Sequence, residues 1–367
     1  MTLARIGYVV NVFPKVSETF IAGELAGLRQ RGVEVRILSL QRPTETLRHA
    51  IVEQAGLLER TLYEPDKFAG ALREFGPQIL HAHFATEPAA CAREVAAELG
   101  VPFTFTAHGY DIYRRPPADF GKRALAAGAV ITVSQANARY IVKHLGVPRA
   151  HLRIIPCGID TQRFRPSRLT PSRQREAELP LIVCVARLVP VKNLGLLLEA
   201  CAELLARRVN FRCVIVGEGK SRDELLAVHA RLGLDEAVMF VGAAEQAEVL
   251  QWWQRASVAV LTSEREGMPV SLMEAAACGV PAVAPAVGGI PELVEDGVTG
   301  LLAPPGDRDA LVAALERLLQ NADVAAQMGK RARAQAVQRF SIRQQIDQLM
   351  NLWTELTSRE APLCPSR

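Results

Sequence analysis

The chain is expected to fold as an α/β protein of two doubly wound, Rossmann-like halves, and three observations lead there. Its 367 residues exceed what a single hydrophobic core of usual size holds. Short apolar runs rich in β-branched residues alternate with segments of helical period, the pattern of an open parallel sheet. The alternation stops at a polar, Pro-bearing stretch, residues 163–173, and then restarts. The halves are therefore placed at 1–165 and 179–340, with 166–178 as a linker and a cleft between the halves.

Residues 6–10 form an apolar, β-branched run that suits a first parallel strand. Residues 18–31 have helical spacing through Phe20, Ile21, Leu25 and Leu28, and Gly32 ends them. Strands are expected at 33–40, 79–83, 103–106, 130–133 and 152–156. In the second half they fall at 181–185, 211–216, 238–241 and 257–261, with a helix over 194–207. Residues 278–291 read as turn-rich Gly/Pro chain. Residues 308–356 read as helical throughout, with Ile346, Leu349, Met350 and Trp353 at i, i+3, i+4, i+7. The tail, 361–367, is read as disordered.

The balance of 43 basic to 39 acidic residues is too mild to imply nucleic acid. It is unevenly spread. Residues 1–165 carry 21 Lys and Arg against 15 Asp and Glu, the remainder 22 against 24. A basic first half suits an anionic partner such as a membrane surface, and it equally suits scattered solvated Arg. Arg114, Arg115, Lys122 and Arg123 are the candidate membrane-facing cations. Seven cysteines without a C-x-x-C point to buried thiols in a reducing cytosol. The first residues read as a strand rather than a leader, and no apolar run spans a bilayer, so a cytoplasmic or peripheral membrane location is expected.

The chemistry concentrates where Glu266 and Glu274 stand eight positions apart across a loop-to-helix junction. Pro269 suits a first helical turn, and 270–277 reads as the helix. A helix N-terminus offers free N–H groups and a positive dipole end to a phosphate. Glu266 and Glu274 can accept hydroxyl hydrogen bonds on either side of it, and Gly267, Met268, Pro269 and Val270 line the approach. A nucleotide sugar has that shape. Arg187 and Lys192 follow the strand at 181–185, where a guanidinium fork and an ammonium can neutralise a diphosphate without a metal. Gly217, in Gly217-Glu218-Gly219-Lys220-Ser221, fails both the P-loop and the dinucleotide patterns. It reads as a tight strand-to-helix turn near the nucleotide.

These residues resemble a known family. Glu266-x7-Glu274, followed by Gly288-Gly289-Ile290-Pro291-Glu292 and Gly300-Leu301-Leu302, looks like the family 4 retaining glycosyltransferases of GT-B fold. Arg187-x4-Lys192 matches that family's cation pair. The resemblance implies transfer of a hexose from a nucleotide diphosphate sugar to a hydroxyl acceptor, with retention and without a metal or other cofactor. It implies that the last helix, 341–358, packs back on the first half, which binds the acceptor while the second binds the donor. It also places His108, in Thr106-Ala107-His108-Gly109-Tyr110-Asp111, against the donor sugar, with Asp111 able to orient its ring. Glu266, His108, Arg187 and Lys192 are then the catalytic set.

The loop Phe13-Pro14-x-x-Ser17-Glu18-Thr19-Phe20 departs from the family's usual Gly-Gly pair. It resembles a subgroup associated with bacterial surface polysaccharides, which implies a lipid-linked glycan acceptor. Ser17, Glu18 and Thr19 are candidate acceptor contacts and equally a plain helix cap. His83 and Asp111 complete the acceptor candidates. His81-Ala82-His83 places two imidazoles on one strand face with no evident third ligand, so it is read as cleft lining or structure and not as a metal site. A same-fold epimerase or phosphorylase, or a binding protein without turnover, stays open as the alternative.

Overall fold

A computed structural model describes residues 3–167 and 179–358. It divides into a unit of Met1–Gly158 with Ile342–Arg367 and a unit of Ile159–Ser341. The division falls seven residues before the expected boundary at 165. The cause is local: Ile159 bridges to Ser341, and the Arg333 guanidinium donates to the carbonyls of Thr161 and Phe164. Residues 159–164 are thereby tied into the second unit. Most of the expected linker, and the tail at 361–367, lie outside the described residues.

The first unit holds a parallel seven-stranded sheet in the order β3-β2-β1-β4-β5-β6-β7. Its strands are β1 (Arg5–Val12), β2 (Glu34–Gln41), β3 (Thr61–Leu62), β4 (Ile79–His83), β5 (Phe103–Ala107), β6 (Ala129–Thr132) and β7 (Leu152–Ile154). Alternation along β1 feeds two cores. Ile6, Tyr8 and Val10 face the helix Thr19–Gln30, while Val9 faces Leu72, Leu80 and Phe105 on the other side. The last helix, Ile342–Ser358, closes the first of these cores with Ile346, Leu349, Leu352 and Trp353. Its Trp353 indole N–H donates to Thr104 Oγ1 at 3.0 Å.

The second unit repeats the plan with six parallel strands in the order β10-β9-β8-β11-β12-β13. These are β8 (Leu181–Val185), β9 (Arg212–Val216), β10 (Val238–Gly242), β11 (Val258–Val260), β12 (Ala282–Pro285) and β13 (Gly300–Ala303). In each sheet the strand order reverses beside the first strand, between β1 and β4 and between β8 and β11. Ligands of such sheets sit at that reversal, outside the carboxyl ends.

Two expectations are corrected. Residues 278–291 are not all turn: Ala282–Pro285 is a fully buried strand, and Gly and Pro on its flanks concealed it. The region from 308 is three helices, Arg308–Gln320, Ala322–Arg339 and Ile342–Ser358, not one run. The chain breaks at Asn321, and again at Phe340, whose side chain is buried. No helix among the described residues is long and apolar enough to cross a membrane.

Candidate active site

In the second unit the reversal of strand order brings together two of the expected donor residues, Lys192 and Glu266. The β8 loop carries Arg187 and Lys192, and the neighbouring β11 loop carries Glu266. The two loops are stitched by Glu264 N–H to the Val191 carbonyl and by Thr262 Oγ1 to the Lys192 carbonyl, both at 2.9 Å. Lys192 Nζ lies 2.5 Å from Glu266 Oε1, and both side chains are largely buried. Ser263 Oγ donates to the same oxygen at 2.6 Å. Glu266 is thus aimed by an ammonium and a hydroxyl. Arg187 is exposed, and its guanidinium has no hydrogen-bond or ion-pair partner among the described residues.

Two glycines let backbones meet here. Gly288 has φ +52, and a Cβ on it would fall 1.7 Å from the Glu266 carbonyl oxygen. Gly217 has φ +139, and a Cβ there would fall 2.0 Å from the Ala186 carbonyl oxygen, one residue before Arg187. Neither position admits a side chain without displacing a loop that carries a candidate residue.

The helix Val270–Ala277 begins after Pro269, which stands at its N-cap rather than inside the first turn. Gly267, Met268 and Pro269, which lead into it, are buried, and Val270 is half-buried. Glu274 is also buried. Burial pushes its carboxyl up to about 7, against the Trp253 indole, Gln246 and the Arg163 charge, which favour the ionised form. The Trp253 Nε1 itself closes no hydrogen bond of normal geometry. A folded-state value above the unfolded one means that the native protein holds a proton which the unfolded chain releases between about pH 4.5 and 7, so stability falls as pH rises through that window. Glu274→Gln carries no such proton. Its stability relative to the parent should improve by about 2–3 kcal/mol from pH 5 to pH 8 in urea unfolding. Parallel curves would show that Glu274 does not titrate there.

In the first unit the β5 loop holds His108 beside β4. His108 Nε2 lies 3.1 Å from His83 Nδ1, and His83 Nε2 lies 3.2 Å from Glu24 Oε1. Burial, then the neighbouring His83 imidazole, lowers the affinity of His108 for a second proton. Phe20 and Phe84 pack on the His108 ring at centroid distances of 4.8 and 4.7 Å.

Four expectations change. Asp111 does not orient the ring: its oxygens accept the backbone N–H groups of Ala85 (2.7 Å) and His108 (2.8 Å). It is fully buried, so it is not an acceptor contact, and burial pushes its carboxyl up to about 6. His83 is buried between Glu24 and His108, so it too cannot face an acceptor. His81 and His83 do have a third group beside them, Glu24, near enough for the three to share a metal. Sequence spacing missed it because Glu24 comes from a different element. The signal was present: Ile21, Glu24, Leu25 and Leu28 make one i, i+3, i+4, i+7 stripe with an acid in it.

Ser17, Glu18 and Thr19 sit at the start of the helix Thr19–Gln30, with Glu18 at the N-cap but no side-chain cap bond. The plain-cap alternative therefore drops out. Glu18 pairs with Lys15 at 2.6 Å, and Ser17 is exposed. Among the basic candidates, Arg123 is held inward by Asp119 and the carbonyls of Ala85 and Thr86. It does not belong with the exposed Arg114, Arg115 and Lys122.

Comparison with known proteins agrees with this architecture. Residues 168–335 match the family described as glycosyl transferases group 1, and residues 17–163 match glycosyltransferase family 4. The chain is 32% identical to the amylovoran biosynthesis glycosyltransferase AmsK of Erwinia amylovora, over 82% of this chain and 76% of that one. It is 28% identical to the putative colanic acid biosynthesis glycosyltransferase WcaL of Escherichia coli, over 92% and 96%. Among solved structures, Anabaena HepE in complex with UDP-glucose superposes with a TM-score of 0.82 at 20% identity, covering 96% of this chain and all of that one. The fold and the paired loops define a GT-B glycosyltransferase. The chain belongs to glycosyltransferase family 4.

Proposed function

We propose that the protein transfers a hexose from a nucleotide diphosphate sugar to a hydroxyl of a lipid-linked glycan during bacterial exopolysaccharide assembly, with retention and without a metal. The observation that carries the donor half is the Lys192–Glu266–Ser263 cluster on the two loops flanking the reversal between β8 and β11. Arg187 and Lys192 take the departing diphosphate. Glu266, freed from Lys192 as the ammonium turns to phosphate, accepts a sugar hydroxyl. Glu274 takes the ribose, and the helix amides of Val270–Ala277 complete the phosphate cradle. The β-phosphate oxygen receives the acceptor proton on the face where the sugar–phosphate bond breaks. The exopolysaccharide context rests on AmsK and WcaL, and the nucleotide-sugar donor on the UDP-glucose held by HepE.

A panel of UDP-, GDP- and ADP-sugars tests this. One donor should raise the melting temperature and pass labelled sugar into a solvent-extractable lipid fraction, undiminished by EDTA. Interconversion of the nucleotide sugar without release of nucleotide would instead make the protein an epimerase. Loss of transfer in EDTA with recovery in manganese would overturn the metal-free mechanism.

The lipid-linked acceptor calls for contact with a bilayer, and Arg114, Arg115 and Lys122 are the exposed cations for it, beside the exposed Tyr110 and Leu125. Each such cation contributes about 1 kcal/mol near an anionic surface. Sedimentation with anionic vesicles should fall with salt and on replacing all three by Glu. Equal sedimentation with neutral vesicles, or none with either, would remove the membrane contact.

A further inference from the structure

We infer that Glu24 is a positioning residue, acting through His83 to fix the proton of His108 on Nε2 so that His108 Nδ1 stands as a bare hydrogen-bond acceptor. The use of that acceptor rests on the reading of His108 as a ligand contact, whereas the tautomer itself does not.

The proton positions follow from the hydrogen bonds one at a time. Gly158 N–H donates to Gln345 Oε1 at 2.7 Å, which fixes the orientation of that amide. Gln345 Nε2 must then donate to Glu24 Oε2, at 2.5 Å. The Tyr8 hydroxyl donates to Glu24 Oε1 at 2.6 Å. Both Glu24 oxygens are therefore used as acceptors. A bare ring nitrogen 3.2 Å from such an accepting oxygen would repel it, so His83 Nε2 carries a hydrogen. With a single ring hydrogen, placed on Nε2, His83 has a bare Nδ1 that must accept from His108 Nε2 at 3.1 Å. That leaves His108 Nδ1 without a hydrogen, and it makes no hydrogen bond among the described residues.

The ring cannot easily escape this arrangement. Asp111 pins the His108 backbone, and the rings of Phe20 and Phe84 confine its imidazole. The other titratable groups near Glu24 are His81, 4.0 Å away, whose nitrogens are engaged by Thr104 and Thr106 and which burial keeps neutral, and the Cys157 thiol, which burial and the Glu24 charge hold protonated. A metal shared by Glu24, His81 and His83 would have to displace these hydrogen bonds, because each of the atoms it needs already has a protein partner. Functionally, a bare Nδ1 accepts from a neutral sugar hydroxyl and repels a carboxylate, so it selects against an acidic sugar at that point.

The test is the long-range proton–nitrogen NMR spectrum of protein labelled with nitrogen-15 in histidine, near pH 7.5 and without ligand. His83 and His108 should each show a protonated Nε2 and a bare Nδ1. Glu24→Gln should reverse both. The fixed Gln345 amide draws the new carbonyl oxygen toward itself and turns the new NH₂ toward His83 Nε2. His83 then becomes protonated on Nδ1 and donates to His108 Nε2, moving the His108 proton to Nδ1. Turnover should fall about tenfold, the scale of one hydrogen bond, with nucleotide affinity unchanged.

A protonated His108 Nδ1 in the parent protein would overturn the inference. So would an unchanged His108 tautomer in a folded Glu24→Gln variant, or one equivalent of tightly bound metal in the purified chain. The parent spectrum decides the question even if the variant does not fold. Unimpaired transfer by His108→Phe would remove the ligand-contact reading and leave the tautomer standing.

Discussion

Replacing Lys192 by Ala should lower turnover on the order of 10²–10³-fold, the cost of removing one preorganised group from a developing charge. The ammonium stands 2.5 Å from Glu266 and, among the described residues, is the one positive charge paired with that carboxylate. Two losses combine in the variant. The leaving diphosphate loses a cation. Glu266 also loses the ammonium that aims it and, among the described residues, keeps the Ser263 hydroxyl. Lys192→Arg should recover little, because a planar fork does not fit a point-charge contact already shared with a carboxylate. Arg187→Ala should act on turnover in the same way but leave Glu266 undisturbed, since Arg187 has no partner among the described residues. Steady-state kinetics with the donor that the panel selects measures both. A Lys192→Ala enzyme whose kcat stays within threefold of the parent would remove the ammonium from the mechanism.

Trp353→Ala should destabilise the first unit by about 3–5 kcal/mol, the range for truncating a large buried aromatic. Trp353 is fully buried in the core shared by Leu25 and Leu28 of the helix Thr19–Gln30. Its loss would also strip Thr104 of the indole N–H. Trp353→Phe keeps most of the area and should cost less. Urea unfolding followed through the first unit tests this. A cost below about 1 kcal/mol would mean that the last helix contributes little to that core.

Much of the fold was legible because buried parallel strands leave short apolar runs bounded by turns. β4 and β8 fall where those runs place them. What escaped was short or disguised. Thr61–Leu62 is too brief to show a period, and Ala282–Pro285 is Ala- and Pro-bearing chain among glycines. In the candidate site, residues tied to one loop and its strand end were readable: Arg187, Lys192 and Glu266 follow β8 and β11 directly. Side chains whose neighbours come from distant elements were not. His83 and Asp111 looked exposed in sequence because a strand end and a loop usually are. Burial against Glu24, Ala85 and His108 appears only once the helix Thr19–Gln30 is laid on the sheet. Gln345 lies 321 positions from Glu24, so no local pattern could have joined them.

Under the proposed function the chain moves a sugar off a nucleotide and keeps its anomeric configuration. Proton NMR of the reaction with the selected donor and a lipid-linked acceptor reads both parts at once. The donor anomeric signal should decay as free nucleoside diphosphate accumulates, and the new glycoside should first appear with the same anomeric configuration as the donor. An inverted anomer in the first product, or consumption of the donor with no free nucleoside diphosphate, would contradict it.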